Sequence, residues 1–309
     1  MKNHEILFII NPAASGGKTL KDWNKKIYPL LKKENFSFDY EFTTKPFDAF
    51  ELALDGIKKG YRKLISVGGD GTVNEIANAI LTQSVIDSVE ITLGSIGTGT
   101  GNDWRKTVGI PKDYEQAIKV IKEGKYILQD VGKVNYFQNG QEKSRFFINV
   151  AGMGFDAVVT YKANSRKKHY FKKFVYFINL FSTLFSFNDP YIEIKIDGKK
   201  VYEDKSLTLN VGICKYSGGG MMFTPNAIYD DGLFDITVID KISIFKILIN
   251  LRKIYDGSFI NNDAVKNFKA KNVEITSKEK LYLEVDGESL GHCPFYFKIY
   301  PKRLKVIVS

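Results

Sequence analysis

Along the first third of the chain, short apolar runs alternate with stretches whose apolar positions recur at helical spacing. Glu5 to Ile10 predicts a strand, Thr19 to Glu34 a helix, and Phe36 to Phe42 a second strand. Pro46 suits a first helical turn and opens a helix running to Lys59; Lys63 to Val67 predicts a buried strand and Thr72 to Leu81 the helix after it. A strand near Val89 to Leu93 and short helices near Asn102 and Tyr114 complete the series. Strands separated by whole helices need crossover connections. This part therefore predicts a layered α/β domain with a mainly parallel sheet, ending near residue 125.

Beyond that point the spacing shifts to period two. The segments KYILQDVGKV, SRFFINVAG, PYIEIKIDGKKVYE, KSLTLNVGICKY, GLFDITVID, NVEITS and KLYLEVDGE are rich in β-formers and separated by turn residues, and Asp197-Gly198 is a two-residue hairpin signal. They predict an all-β antiparallel sandwich over residues 126–294, interrupted by one helical insertion from Asp156 to Phe187. The last strand, Leu304 to Val308, fits either domain, so residues 295–309 could complete the first.

Composition adds bounds rather than a new picture. A chain of 309 residues accommodates two domains, and 44% apolar residues with 23 Phe and 17 Tyr supply a large core. The apolar run Ile6 to Ile10 is too short for a signal peptide or a membrane span, and Cys214 and Cys293 form no CxxC, so a cytoplasmic setting is expected. His4, His169 and His292 do not pair at ligand spacing, which leaves little for zinc or for a histidine-based hydrolytic centre. The net charge of +10 attracts polyanions, whether nucleic acid, anionic headgroups or phosphorylated substrates.

Three loops carry candidate chemistry. Gly68-Gly69-Asp70-Gly71-Thr72 lies between a buried strand and a helix, where backbone amides and the helix start can receive phosphate; the plainer alternative is a tight turn capped by Asp70 or Thr72. Asn11-Pro12-Ala13-Ala14-Ser15-Gly16-Gly17-Lys18 follows the first strand and would open at the same sheet edge. It is not a Walker A loop, since Pro12 stands where that motif needs glycine. Gly97 to Asp103 follows another strand but misses the dinucleotide pattern at Asn102.

In these motifs the chain resembles the soluble bacterial diacylglycerol-kinase-type lipid kinases, relatives of sphingosine and ceramide kinases and, more distantly, of NAD kinases and phosphofructokinases. The resemblance runs from Asn11 to Glu288: Asn11-Pro12 with Ser15-Gly16, the GGDGTVNE run from Gly68 to Glu75, GTGND from Gly99 to Asp103, Gly218-Gly219-Gly220, Pro225-Asn226-Ala227, Asp230-Asp231-Gly232 with Asp235, and Asp286-Gly287-Glu288. The set beyond GGDGT separates lipid kinases from NAD kinases. Gly97 departs from the family's usual proline. By this resemblance ATP is held by Asn11, Ser15, Gly16, Thr43 (with Thr44 beside it), Gly68, Gly69, Asp70, Gly71, Thr72, Val73, Asn74 and Thr100. Mg2+ is expected on the Asp231 carboxylate with backbone oxygens of Ile228 and Leu233, and Lys18 and Asp103 are expected to join Asp231 in a charge network. Oxygen ligands suit such a hard cation, although Asp-Asp-Gly also reads as an ordinary turn. The resemblance assigns proton acceptance to Glu288 or Asp286, in a segment that otherwise reads as a hairpin.

The implied reaction moves the γ-phosphate of ATP to a hydroxyl of a lipid alcohol, diacylglycerol first, with a sphingosine-like lipid, ceramide or phosphatidylglycerol as other acceptors. NAD phosphorylation is a weaker alternative, and so is a nucleotide-sensing or nucleic-acid-binding role, because basic and aromatic residues do not interleave outside residues 161–187. There Lys162, Arg166, Lys167, Lys168, Lys172 and Lys173 precede VYFINLFSTLFSF; this predicts either peripheral contact with an anionic bilayer or a basic face leading into a buried helix. Oligomeric state stays open, a homodimer included.

Overall fold

The computed structural model describes residues 5–99, 101–155, 157–158, 160–161, 187–242, 249 and 252–309. The chain divides into two units, Met1–Val131 with Tyr300–Ser309, and Gly132–Ile299. In the first unit, β1 (Ile6–Ile10), β2 (Asp39–Phe42), β3 (Lys63–Gly68) and β4 (Thr92–Gly97) alternate with helices α1 (Lys18–Asp22), α2 (Tyr28–Lys33), α3 (Asp48–Lys58) and α4 (Asp70–Thr82), before α5 (Asp103–Thr107) and α6 (Tyr114–Glu123). A wider helical turn, Trp23–Ile27, joins α1 to α2. The strands pair in parallel in the order β4-β3-β1-β2, with Phe8 facing Ile65 and Tyr40, so their carboxyl ends open on one edge.

That sheet is completed by the end of a strand far along the chain. In β14 (Glu288–Ile307), Lys305 and Val306 run parallel to Thr92 and Leu93 of β4, so the last strand belongs with the first unit. Ile307 is fully buried in a core with Phe8, Ile10, Trp23, Leu31, Val67 and Ile96. The sequence misplaces β4 by about one turn: Val89 is in a short 3-10 turn, Ser88–Glu90, and the strand starts at Thr92. Gly94 and Ser95 look like turn residues, but Ile65 and Ile307 close on Gly94 from either side, leaving no room for a larger side chain. Packing thus overrides propensity here.

The second unit is antiparallel throughout. β5 (Tyr126–Gln138) carries the chain into it and pairs there with β6 (Gln141–Phe147); β7 (Val150–Gly154), β8 (Tyr191–Ile196), β9 (Lys199–Gly212), β10 (Phe234–Asp240), β11 (Val265–Ala270), β12 (Asn272–Ser277) and β13 (Tyr282–Val285) follow. Two long strands make the architecture. β9 pairs with β8 through its first half and with β7 and β10 through its second, while β14 takes β13 and β12. With β7–β13 and β12–β8, the pairings close into a circuit of six strands, which leaves few open edges. The expected SRFFINVAG strand is instead two, broken at Ile148 and Asn149. Phe147, Phe234 and Phe297 pack within it, the first two stacked at 5.7 Å. Both expected Asp-Gly hairpins form, with Asp197, Gly198, Asp286 and Gly287 all at positive φ. The expected helical insertion from Asp156 to Phe187 starts helical at residues 157–158 and 160–161, while 162–186, with the basic segment up to Lys173, lie outside the described residues.

Candidate active site

Loops after β1, β3 and β4 leave neighbouring strands at one sheet edge, and side chains tie them together. The Asn11 amide donates from Nδ2 to Thr72 Oγ1 at 3.2 Å, linking the first loop to the start of α4, while its Oδ1 accepts from Ala13 N at 3.1 Å. Ser15 Oγ donates to Thr98 O at 2.9 Å. Thr19 and Thr98 hydroxyls meet at 2.6 Å, and Thr98 N donates to Gly68 O at 2.9 Å. Ser15, Gly16 and Gly17 run in succession through the left-handed region, and the two glycines are exposed, with nothing within 4 Å of where a Cβ would stand. This gives an open turn, closed at its end by the Gly17 amide on Ala13 O at 3.3 Å.

Gly68 is required by close approach, since a Cβ there would lie 2.6 Å from Thr72 Oγ1. Gly69 is extended and precedes α4. The Thr72 and Val73 amides turn back onto Gly69 O at 3.1 and 3.3 Å, so the donors this helix start offers a phosphate are those of Asp70 and Gly71. Val73 and Asn74 are buried; the Asn74 side chain accepts from Asn78 Nδ2 at 3.1 Å and serves the helix.

Asp70 does different work from the rest of its loop. Its Oδ2 accepts from Asp103 N at 3.1 Å and its Oδ1 from Trp104 N at 3.3 Å, so the GGDGT carboxylate caps the helix that follows GTGND. Burial, with the Asp103 carboxylate adding, pushes its carboxyl above the usual range, and the backbone amides oppose that. Arg105 is buried close by; burial lowers its guanidinium value while Asp70 works against the shift. The Asn102 side chain donates to Gly99 O at 2.7 Å. A Cβ at Gly97 would come within 2.8 Å of Asn102 Cγ and 2.9 Å of Arg105 Cδ, which accounts for glycine where the family usually has proline. Thr100 lies outside the described residues.

Of the two adjacent threonines, Thr43 is buried at the carboxyl end of β2 with its amide on Ile10 O at 2.9 Å. Thr44 is committed to Asp48 Oδ2, at 2.6 Å from its amide and 2.8 Å from its hydroxyl. Within its own unit each member of the expected charge network has a partner: Lys18 pairs with Asp22 at 3.7 Å, Asp103 with Lys106 at 2.9 Å, and Asp231 with Lys269 at 2.8 Å.

In the second unit the two candidate carboxylates differ sharply. Asp286 is buried, with Oδ2 accepting from Ile148 N and Oδ1 from Asn149 N and Val150 N, each at 3.1 Å. Both oxygens anchor the break between β6 and β7. Glu288 is half-buried, its side chain 25% exposed, and meets Arg145 at 3.3 Å. Glu284 is buried and accepts from Gly287 N at 3.0 Å, bracing the turn between them. Arg145 and Glu284 escape a motif search because neither lies in a glycine-rich signature; Thr98, beside Gly97 and Gly99, carried a signal that motif spacing alone undervalued.

The residues expected to hold magnesium do not fit it. Asp231 Oδ1 accepts from Leu233 N at 3.0 Å, closing a local turn, and Oδ2 faces the Lys269 ammonium at 2.8 Å. A cation therefore already covers the carboxylate. Among the described residues no group of three or more His, Cys, Asp or Glu is placed to hold a metal ion. Asp235, on β10, is buried with Oδ1 unpartnered, and burial pushes it up to about 6.

The chain is similar to known proteins. A model of the diacylglycerol kinase catalytic domain matches residues 5–134, and one of the YegS C-terminal NAD kinase beta sandwich-like domain matches residues 149–308. A diacylglycerol kinase from Staphylococcus carnosus (strain TM300) is 30% identical over 298 residues, covering 96% of this chain and 93% of its own. One from Bacillus subtilis (strain 168) is 27% identical over 309 residues, covering 100% and 97%. The crystal structure of a proposed diacylglycerol kinase from Bacillus anthracis str. Sterne has a TM-score of 0.78 at 26% identity, covering 100% of this chain and 98% of that one.

Proposed function

The chain belongs to the diacylglycerol kinase family, a family of phosphotransferases with alcohol acceptors, and from that premise we propose that it moves the γ-phosphate of ATP to the hydroxyl of a lipid alcohol, diacylglycerol foremost. The observation that carries the nucleotide half is the meeting of three glycine-bearing loops at one parallel sheet edge, joined by Asn11–Thr72, Ser15–Thr98 and Asp70–Trp104. Asn11, Ser15, Gly16, Thr43, the Gly68–Asn74 segment and Thr100 are the proposed ATP contacts. ATP enters as its magnesium complex, a substrate rather than a resident group.

Glu288 is the proposed proton acceptor, since three amides already occupy the Asp286 carboxylate. The lipid oxygen bonds to the γ-phosphorus, the bond from that phosphorus to the ADP oxygen breaks, and the hydroxyl proton passes to Glu288. Such transfers are loose and depend mostly on positioning, which an Arg145-oriented carboxylate supplies. We place the enzyme in the cytoplasm with peripheral contact to an anionic bilayer, where a net charge of +10 favours approach.

The test is incubation of purified protein with ATP labelled at the γ position, magnesium, a panel of lipid alcohols in vesicles, and NAD. Label in phosphatidic acid from diacylglycerol supports the reading; label in NAD alone, or in no product, overturns it. Flotation with neutral and anionic vesicles tests the contact, and equal negligible binding removes it.

A further inference from the structure

Two carboxylates of the second unit have lysines beside them: Asp231, exposed at the Asp-Asp-Gly turn, and Asp235, buried four residues on. Lys269 stands directly opposite Asp235 in the β10–β11 register, and its ammonium reaches Asp231 Oδ2 at 2.8 Å. Lys215, three residues past the end of β9, also acts on Asp235 by its charge. Two negative groups are thus matched by two positive ones, the balance that one divalent ion would otherwise provide. Asp231 Oδ1 is meanwhile used by Leu233 N, so a metal entering here would have to displace an ammonium and break a turn hydrogen bond.

We infer that Lys269 is the built-in counter-ion of the Asp230-Asp231-Gly232 turn, so that this chain keeps the turn closed without a resident divalent cation. The consequence for the reaction is that magnesium is needed only as the companion of ATP. Lys269 shields carboxylates that in its absence form an oxygen-donor pair suited to magnesium. The stability test stands whether or not diacylglycerol is the acceptor.

Nucleotide-free protein is titrated with magnesium chloride against EDTA while its Tm and the heat of binding are followed. One ion bound at ten times its Kd would raise Tm by roughly 3–6 °C in a unit of this size. The expected wild-type shift is below about 1 °C with no saturable heat. Lys269→Arg should behave as wild type. Lys269→Met should start lower and regain stability with magnesium in a saturable way, a gain that Lys269→Met combined with Asp231→Asn abolishes. Saturable magnesium binding by wild type that Asp231→Asn removes would overturn the inference, as would a Lys269→Met protein indifferent to magnesium. Where active, wild type should also show no further rise in rate once magnesium matches ATP; continued activation by free magnesium that Asp231→Asn abolishes would count against it.

Discussion

The backbone amide of Trp104 donates to Asp70 Oδ1 at 3.3 Å, so the acidic residue of the GGDGT loop holds the GTGND turn in place.

Asp70→Asn removes one carboxylate acceptor and strands an amide at the start of α5, a loss of about 1–3 kcal/mol. ATP affinity should fall with it, because the loop from Gly99 to Asp103 loses its tether. The pH dependence has a definite sign. Because burial raises the Asp70 carboxyl in the folded state, its contribution is whole below the unfolded value of about 4 and fades as pH climbs through the folded one. Wild type should therefore lose stability relative to Asp70→Asn as pH rises toward neutrality. Urea midpoints of both proteins across that span check this; a difference that does not change with pH would refute it.

Glu288→Gln should stay folded, since glutamine keeps the shape and an oxygen acceptor for Arg145, yet lower kcat by roughly 10²–10⁴-fold with KM for ATP unchanged. Asp286→Asn should instead lower Tm, because the amides of Ile148, Asn149 and Val150 all depend on that carboxylate. Steady-state kinetics beside thermal melts separate the two; a stable, inactive Asp286→Asn would reverse the assignment.

Gly97→Ala should cost about 1–3 kcal/mol, because the added methyl meets the Asn102 amide and the Arg105 side chain at once. The reading is the denaturant midpoint. An unchanged midpoint would show that both neighbours move aside freely.

Ile307→Ala should destabilise the first unit by about 2–5 kcal/mol. Hydrogen exchange localises the effect: amides of β3 and β4 should lose protection although the substituted residue lies more than two hundred positions away. Loss confined to β12 and β13 would contradict the strand's placement.

Much of this architecture could be read from spacing because the forces involved are local. The Lys63–Val67 run, the glycines after it and the helix starting at Asp70 follow one another directly, and Asp197-Gly198 and Asp286-Gly287 announce their hairpins in two residues. β4 escaped because Gly94 and Ser95 are small for the sake of Ile65 and Ile307, which sequence order does not place beside them. The same applies to the carboxylates. Motifs find Asp70, Asp231, Asp286 and Glu288, but what each does depends on Trp104, Lys269, Ile148 and Arg145, the last two separated from their partners by 138 and 143 positions.

The strand that starts at Glu288 and finishes at Ile307 also sets an order of events during synthesis. β4 leaves the ribosome with β3 on one side and nothing on the other, and its neighbour is not made until residues 98–304 have been translated. Domains are ordinarily completed from the amino end onward. Here the sheet of the first unit must wait for the second unit to be made, with an unpaired edge open meanwhile, so nascent chains stalled before Lys305 should be the ones that draw chaperones.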